Sequence, residues 1–315
     1  MISVIIVTKD RPWDVEHISL RSLMDQDCKT FEVLIWDASS SDETEKVCFK
    51  LKDSFLERNV ELKYFKAPRV GIPSQRNDAV EKACGDVVFF IDDDSEVSSD
   101  GVRVIAELFK SNPEVMGAGL PLVDVPRTSN SVASTNVGSK SLKSKWYSRI
   151  GYVSKRTVNI AGSTRGTSST FPEAQWLSGG SMAFRKKVFN DMKFNEVLET
   201  FAPYANGEDV EFSHRVYLKF QRPLRISSKG EIIHRPAPVS RVSDPRTWIA
   251  TLVFNRFQIL KVASGSLFWL GFLGYFWSMI RLFRKMSRQY GSVNAWSGFR
   301  LAIRRLLADR HLEMK

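Results

Sequence analysis

Four short apolar runs alternate with amphipathic segments over the first 110 residues, and this alternation restricts the possible folds more than any other feature. The apolar runs cover Ile2–Thr8, Phe31–Asp37, Glu61–Ala67 and Val87–Ile91, and the amphipathic segments lie near Val15–Met24, Asp42–Phe55, Pro73–Cys84 and Gly101–Lys110. Strands that alternate with helices in this way form a mostly parallel sheet flanked by helices. We therefore expect an open, Rossmann-like α/β sheet.

Polar residues directly follow three of the predicted strands. The strand ends read Thr8-Lys9-Asp10, Asp37-Ala38-Ser39 and Asp92-Asp93-Asp94. Ligands of open α/β sheets bind outside the carboxyl ends of the strands. The sequence therefore predicts a ligand site at this edge of the sheet.

The middle of the chain is less regular. Residues 121–172 are rich in Ser, Thr, Gly, Lys and Arg, which predicts long loops or an insertion beside the site. Ordered structure is expected again over Gln175–Arg185, followed by a helix over Glu208–Phe220. A strand pair is expected around Leu224–Ser227 and Glu231–His234.

Most of the net charge of +11 lies in a C-terminal tail. Residues 245–315 hold 12 Lys and Arg against 2 Asp and Glu, so residues 1–244 are nearly neutral. A basic tail on a neutral body argues against a nucleic-acid-binding protein and favours contact with an anionic membrane surface. We expect residues 1–244 to form the globular domain and residues 245–315 to form a helical, membrane-associating extension.

The tail contains a long uncharged run. Val262–Ile280 comprises nineteen residues without a charge, and an amphipathic segment with Trp296 and Phe299 on one face follows it. Nineteen residues could just cross a bilayer. Three glycines inside the run weaken a helix, however, and a crossing would send the arginines after it outward. These features favour attachment at the membrane interface over a span.

Cysteine content and the first residues suggest a cytoplasmic address. Cys28, Cys48 and Cys84 are odd in number and far apart, so they indicate reduced thiols without a disulfide framework. The first predicted strand begins at Ile2, and no leader sequence precedes it. We expect a cytoplasmic protein that is peripheral or monotopic on the inner face of the cell membrane.

The acidic triplet Asp92-Asp93-Asp94 ends an apolar strand abruptly. Adjacent carboxylates repel one another unless a cation or solvent screens them. One or two carboxylates, completed by water and substrate phosphate, form the usual magnesium or manganese site. The alternative is a helix N-terminus, where acids also accumulate.

Further motifs accompany the triplet in a fixed order. They are Ser3-Val4-Ile5-Ile6-Val7-Thr8, Asp37-Ala38-Ser39-Ser40-Ser41-Asp42-Glu43-Thr44, Gly71-Ile72-Pro73-Ser74-Gln75-Arg76-Asn77 and Ala83-Cys84-Gly85-Asp86. Together with the triplet, they resemble the family 2 glycosyltransferases of the GT-A fold across roughly residues 1–100. The resemblance implies a nucleotide-binding half over residues 1–120 and an acceptor-side half over residues 121–244.

The resemblance also implies roles for residues at matching positions. Thr8 and Asp37 would contact the nucleoside, and Arg76 would lie near the nucleoside or the diphosphate. Asp92 and Asp93 would bind the nucleotide sugar, with Asp92 near the ribose, and Asp94 would ligate the metal. Judged alone, Asp37 could be a turn former or helix cap and Arg76 a solvated helix charge. The sequence departs from the family pattern at Ala38 and Ser95, which affects the identity of the donor more than the activity.

The second half supplies two more matching motifs. Trp176-Leu177-Ser178-Gly179-Gly180 resembles the glycine-containing loop beside the donor sugar, where Gly179 and Gly180 would let the backbone approach the ligand. Asn206-Gly207-Glu208-Asp209 resembles the Glu-Asp motif whose aspartate is the general base. Asp209 would then be the catalytic base, with Glu208 and Trp176 on the acceptor side. A tight turn and a dipole-complementing helix start are the alternatives.

His234 follows a short apolar run. Some members of the family place a metal- or phosphate-contacting histidine at such a point, so His234 is a candidate metal ligand beside Asp94. A structural histidine is the alternative.

These features together predict an inverting, metal-dependent glycosyltransferase. It would move a hexosyl or deoxyhexosyl group from a nucleotide-diphosphate sugar, with Mn²⁺ or Mg²⁺, to a glycan or lipid-linked acceptor. The C-terminal half resembles bacterial or archaeal enzymes of surface-polysaccharide assembly. A sugar nucleotidyltransferase and a catalytically inactive membrane scaffold remain alternatives, although the first should carry a glycine- and lysine-rich loop where this chain has Lys9-Asp10-Arg11-Pro12.

Overall fold

The computed structural model describes residues 1–125, 155–165, 173–236 and 244–313. The described strands are β1 Ile2–Thr8, β2 Phe31–Asp37, β3 Glu61–Lys66, β4 Val87–Asp92, β5 Ser95–Val97, β6 Gly117–Gly119, β7 Leu122–Asp124, β8 Lys155–Val158, β9 Thr164–Arg165, β10 Glu173–Ala174, β11 Met182–Arg185, β12 Leu224–Ile226 and β13 Ile232–His234. The predicted loops or insertion over 121–172 lie mostly outside the described residues.

Helices pack between and beside these strands. The first, α1, is a composite of turns Pro12–Asp14, Val15–Leu20 and Arg21–Met24, of which the middle one is π-helical. The others are α2 Glu43–Glu57, α3 Ile72–Lys82, α4 Gly101–Ser111, α5 Glu208–Phe220, α6 Pro245–Ser264, α7 Phe268–Tyr290 and α8 Ser292–Glu313. The predicted α/β class is confirmed.

The main sheet has the order β3-β2-β1-β4-β11-β6-β12-β10-β8-β9, and its first four strands are parallel. In this register Thr8 lies opposite Asp37, and Val7 lies opposite Asp92. The carboxyl ends of β1, β2 and β4 therefore meet at one edge, as the sequence predicted.

Both faces of the sheet are covered, which explains why β1, β2 and β4 are mostly apolar and buried along their length. Val4, Val33 and Phe89 point into one apolar cluster, whereas Ile5 and Phe90 point into the other. Each cluster buries one side of the sheet under helices. The two-sided core holds the strand ends in fixed register.

A second, three-stranded sheet has the order β5-β13-β7. The predicted pairing of the segments around Leu224–Ser227 and Glu231–His234 is wrong, because β12 joins the main sheet and β13 joins the small one. Gly230, with a φ of +66°, lies between the two strands and favours a change of chain direction. The consequence is that His234 lies opposite both Ser95 and Asp124.

The uncharged run Val262–Ile280 is not one continuous helix. Gly265, with a φ of +47°, separates α6 from α7, and a 3-10 turn follows it. Gly271 and Gly274 lie inside α7 and allow close packing, since a Cβ at Gly271 would overlap the Ile160 carbonyl oxygen and one at Gly274 would lie 2.8 Å from Ala161 Cβ. By length and composition alone, the segment Pro245–Tyr290 is apolar enough to cross a membrane, with a mean hydropathy of 1.4 over its best window.

Helix α6 is part of the tail in sequence but packs against the α/β body. The buried Asn255 side chain donates hydrogen bonds to the carbonyl oxygens of Leu198 and Asn206, each at 3.1 Å. Gly207 has a φ of +90°, and a Cβ there would lie 2.9 Å from Ile259 Cδ1. The start of α5 is therefore held against α6, across the predicted domain boundary at residue 244.

Candidate active site

Two carboxylates and one imidazole meet at the carboxyl edge of the main sheet. One ligand atom from each of Asp92, Asp94 and His234 lies within 4.8 Å of the other two. Asp92 is half-buried, Asp94 is fully buried, and His234 Nε2 lies 3.2 Å from Asp94 Oδ1. The structure thus brings the two predicted metal ligands together and adds Asp92 to them.

The small sheet positions His234. Its Nδ1 is 2.8 Å from Asp124 Oδ1 on the neighbouring strand β7. The hydrogen bond to Asp94, followed by that to Asp124, raises the pKa of His234 to about 9 against the cost of burial. A carboxylate behind a histidine fixes the orientation of its ring, an arrangement typical of metal-binding histidines.

Asp93 is not among these three candidate ligands, and its side chain is held by the end of β1 and the loop after it. Its carboxylate accepts a hydrogen bond from the Thr8 hydroxyl at 2.7 Å and from Arg11 Nη1 at 3.1 Å. Arg11 Nη1 also lies 2.9 Å from Asp94 Oδ2. Burial raises the pKa of Asp93 to about 6, assisted by Asp94 and opposed by Arg11. Thr8 and Asp93 therefore form a hydrogen bond with each other, and both line the cavity where the nucleotide is predicted to bind.

This donor set fits a divalent cation. Carboxylate oxygens and an imidazole nitrogen are suitable ligands for Mn²⁺, and carboxylates suit Mg²⁺. The acids draw in two cationic groups, Arg11 and His234, which indicates an excess of negative charge at this point. Asp92, Asp94 and His234 are the residues that would hold the ion.

The two adjacent glycines lie between the acidic cluster and Asp209. The Gly179 N–H donates to Asp209 Oδ2 at 2.8 Å. A Cβ at Gly180 would lie 2.8 Å from Asp92 Oδ2, so a larger residue would displace that carboxylate. The glycine loop therefore sets the spacing between Asp209 at the start of α5 and the end of β4.

Arg76 lies beneath this loop, fully buried on α3. Its guanidinium contacts Glu208 Oε1 at 3.0 Å and donates to the Gly179 carbonyl oxygen at 3.3 Å. The Phe90 and Phe194 rings lie 5.7 Å and 5.5 Å from it. Arg76 therefore supports the site from within the core; a direct contact with nucleotide would require its exposure.

Glu208 and Asp209 are adjacent but differ in environment. Glu208 is buried against Arg76, and burial followed by the neighbouring Asp209 raises the pKa of Glu208 while Arg76 opposes the rise. Asp209 is half-buried, with its second oxygen bonded to the Val210 N–H at 2.8 Å. Of the two acids, Asp209 is the one that solvent reaches.

The predicted acceptor-side residue Trp176 is half-buried and lies three residues before Gly179.

Asp37 is fully buried at the end of β2. Its Oδ1 accepts hydrogen bonds from the Ser39 N–H, at 2.8 Å, and from the Ser39 hydroxyl, and its Oδ2 accepts one from Tyr64 at 3.0 Å. A direct contact with a nucleobase would require the loop after β2 to move. In the present conformation Asp37 shapes that loop.

A cavity of about 430 Å³ opens beside the acids. Its lining includes Thr8, Asp92 and Asp93 on one side and Tyr204 and Trp248 on the other. The rings of Tyr204 and Trp248 are 5.9 Å apart. Because Trp248 belongs to α6, the tail supplies part of the cavity wall.

Arg11, Asp124 and Trp248 are site residues that sequence reasoning missed. Arg11 lies in the loop after β1, where the sequence pattern argues against a nucleotidyltransferase but does not reveal a contact with the acids. Asp124 and Trp248 are at least 30 and 150 residues from the acidic triplet, and no local pattern connects them to it. A search for an acid able to orient His234 could have suggested Asp124.

Replacing Arg76 with Met should destabilise the protein strongly, because Glu208 would remain buried without its partner. Loss of one member of a buried ion pair typically costs about 3–5 kcal/mol. Arg103→Met is a matched control, since the Arg103 pairs with Asp27 and Glu107 are exposed and worth at most about 1 kcal/mol. Urea unfolding measures both variants; equal small losses would contradict the structural role of Arg76.

Three comparisons with known proteins bear on this site. A β-1,3-glucosyltransferase of Campylobacter jejuni that acts on GalNAc(5)-diNAcBac-PP-undecaprenol is 30% identical over 108 residues. The match covers 34% of this chain and 33% of the relative, so it spans about a third of each protein.

Two solved structures share the fold. GalNAc-T7 with UDP, GalNAc and Mn²⁺ has a TM-score of 0.57 at 16% identity, covering 81% of this chain and 48% of the other. A mannosyltransferase of Pyrobaculum calidifontis with GDP-Man and Mn²⁺ has a TM-score of 0.52 at 14% identity, covering 100% of this chain and 80% of the other. At these identities the likeness shows a common GT-A fold.

The family model of glycosyl transferase family 2 matches residues 3–193, which is more than half of the chain. The match contains the strand ends, the acidic triplet and the glycine loop described above. The chain belongs to glycosyl transferase family 2.

Proposed function

We propose that this chain is an inverting, metal-dependent glycosyltransferase that moves a sugar from a nucleotide-diphosphate donor to an acceptor hydroxyl. One observation carries the proposal: the Gly179-Gly180 loop holds the half-exposed carboxylate of Asp209 beside Asp92, at the edge where Asp94 and His234 also meet. A general base and a metal-binding cluster on either side of a glycine loop are the parts that direct displacement at a sugar carbon requires.

The donor occupies the cavity beside the acids in this proposal. Structures that share the fold were solved with UDP or with GDP-Man, which supports a nucleotide-diphosphate sugar in the same position. Thr8 and Asp93 line the cavity, and Asp37 shapes its rim through Ser39. The donor sugar would be a hexose or deoxyhexose.

Asp209 is the proposed base. It accepts the proton of the acceptor hydroxyl while that oxygen bonds to the anomeric carbon and the carbon–diphosphate bond breaks, which inverts the configuration. A positioned base of this kind typically contributes about 10²–10⁴-fold to the rate. The Gly179 N–H holds one carboxylate oxygen in place, whereas the neighbouring Glu208 is buried against Arg76.

Asp92, Asp94 and His234 hold the metal, with Asp124 orienting the imidazole. When bound, a divalent ion supplies positive charge that neutralises the departing diphosphate. Arg11, which pairs with Asp93 and Asp94, keeps a second cation at the same point. An inactive scaffold would have no need of this arrangement.

The acceptor is proposed to be lipid-linked and the protein to lie on the inner face of the cell membrane. The Campylobacter relative acts on an undecaprenol-linked substrate. In this chain Trp269, Leu273 and Trp277 expose 71%, 61% and 65% of their surface along one face of α7. Positions spaced by four residues share a helix face, and basic side chains follow them at 281–288. This pattern suits a membrane interface.

Asp209→Asn should slow turnover by about 10²–10⁴-fold with little change in donor affinity, because the amide keeps the shape but cannot accept the proton. Asp37→Asn should instead weaken donor binding through the loop after β2. Asp191→Asn is the matched control, since Asp191 is an exposed acid paired with Lys219. Calorimetry and initial rates measure the two effects. Near-normal turnover of Asp209→Asn would place the base elsewhere.

Asp94→Ala should abolish transfer, and Asp124→Asn should lower the affinity for Mn²⁺ by about 10–100-fold, since Asp124 acts only through His234. Activity is titrated with Mn²⁺ for each variant and for Asp191→Asn, which should match the unmodified chain. Full turnover in excess EDTA would show that the acidic cluster is a structural turn.

Trp269→Ser/Leu273→Ser should lower partition into vesicles by at least about tenfold, because each side chain loses apolar area buried at the interface. Deleting residues 245–315 is a poor test, since it would remove the α6 wall of the cavity. Phe49→Ser/Leu56→Ser is a better control, with similar exposure on α2. Co-sedimentation with phosphatidylglycerol–phosphatidylcholine vesicles gives the comparison; equal loss in both variants would contradict attachment through α7.

A further inference from the structure

A basic groove of about 540 Å³ lies between α6 and α7, outside the site described above. Its lining includes Asn206, Trp248 and Arg256 on one side and Arg281, Lys285 and Gln289 on the other. Trp248 and Arg256 are eight residues apart on α6, and therefore share one helix face. We call this feature the basic groove.

Within the described part of the chain, the cations of the basic groove have no acidic partner. Helices α6 and α7 contain no Asp or Glu. Arg256, Arg281 and Lys285 make no ion pair or side-chain hydrogen bond with any residue in the described ranges. A second hollow of about 390 Å³ shares Arg281 and Lys285 and adds Arg284 and Arg288. An unpaired cluster of this size favours an anionic ligand.

Arg256 is the most informative of these cations because it is half-buried. Burial lowers the pKa of Arg256, and the Tyr275 phenol opposes that lowering only in part. Its neighbour Asn255 is the buried residue that ties α6 to the carbonyl oxygens of Leu198 and Asn206. Arg256 is therefore held on a rigid part of the helix, pointing into the groove.

The basic groove adjoins the catalytic cavity. Trp248 lines both, and Asn206 in the groove lies three residues before Asp209. A ligand that filled the groove could thus extend past Trp248 towards the proposed base. The donor diphosphate needs no such groove, since its charge is met at Asp92, Asp94 and His234.

The groove also adjoins the exposed apolar face of α7. Trp277 precedes Arg281 by four residues, which is about 6 Å along the helix axis. An apolar chain on Trp269, Leu273 and Trp277 would therefore end close to the cations. Cationic and apolar surfaces in this order match a lipid whose head bears phosphate.

We propose that the basic groove binds the phosphate or diphosphate of a lipid-linked acceptor and thereby directs its sugar into the catalytic cavity. The inference rests on the proposed function and adds to it the site that holds the phosphate of the acceptor. The lipid chain lies along α7, the phosphate contacts Arg256, Arg281 and Lys285, and the sugar passes Trp248 to Asp209.

Farnesyl diphosphate is a suitable probe, because it carries a diphosphate on a short isoprenoid chain. Calorimetry on the full chain should show that Arg281→Gln/Lys285→Gln weakens its binding by at least about tenfold, given the worth of hydrogen bonds to charged groups. The matched control is Arg300→Gln/Arg304→Gln, which removes the same charge from exposed positions on α8. The control should change the affinity by less than about twofold.

Four comparisons can overturn the proposal. Equal weakening in the two double variants would mean that diffuse charge attracts the probe. Equal affinity for inorganic diphosphate and farnesyl diphosphate would indicate a free-phosphate site, and equal affinity for farnesol would exclude phosphate recognition. Vesicles containing phosphatidylglycerol should bind both double variants alike; selective loss in the groove variant would indicate a headgroup site instead.

The proposed function is tested separately by the binding of UDP and GDP with Mn²⁺. Nucleotide binding that survives in the groove variant, together with loss of farnesyl diphosphate binding, supports both proposals. Nucleotide binding without any farnesyl diphosphate binding overturns only the acceptor groove. A chain that binds neither nucleotide overturns the proposed function.

Discussion

Repulsion among three adjacent carboxylates is the constraint on which the rest of the site depends. Two unit charges 4 Å apart interact by about 4 kcal/mol at an effective dielectric constant of 20, so the end of β4 is unfavourable by itself. The fold places cationic groups and donors around them from three positions: Thr8 at the end of β1, Arg11 in the loop after it, and His234 in the small sheet. The parallel register of β1 with β4 and the pairing of β13 with β5 both serve this end.

The buried Arg76 connects that charge balance to Asp209. Its guanidinium contacts Glu208 and the Gly179 carbonyl oxygen, and its second nitrogen lies 3.8 Å from Asp92. Because its guanidinium packs against the Phe90 and Phe194 rings in the core, it cannot move without repacking. The position of the proposed base is thus set by a cation that never meets solvent, which explains why an arginine in the first turns of a helix is buried.

Local patterns in the sequence were sufficient for the parallel half of the fold. The strands β1, β2 and β4 and the helices between them follow from periodicity, and the acidic triplet marks the site, because these signals lie within a few residues of one another. The misplaced strand β13, the partner Asp124 and the wall residue Trp248 depend instead on contacts across more than 100 residues of chain. Charge and periodicity carry no information about such contacts. For Asp37 the sequence motif is recognisable, but its buried hydrogen bonds with Ser39 and Tyr64 could be found only from the structure.

Helix α6 connects the tail to the candidate active site. Its Trp248 lines the cavity beside the acids, its Asn255 contacts the loop before α5, and the helix forms one side of the basic groove. Helix α7, which follows the break at Gly265, carries the exposed aromatic face. A surface that docks on lipid through α7 would thus lie at a fixed distance from Asp209. Where the acceptor is a lipid, binding of α7 to the membrane would also position Asp209 relative to the acceptor. The enzyme would then lose less orientational entropy when the acceptor binds.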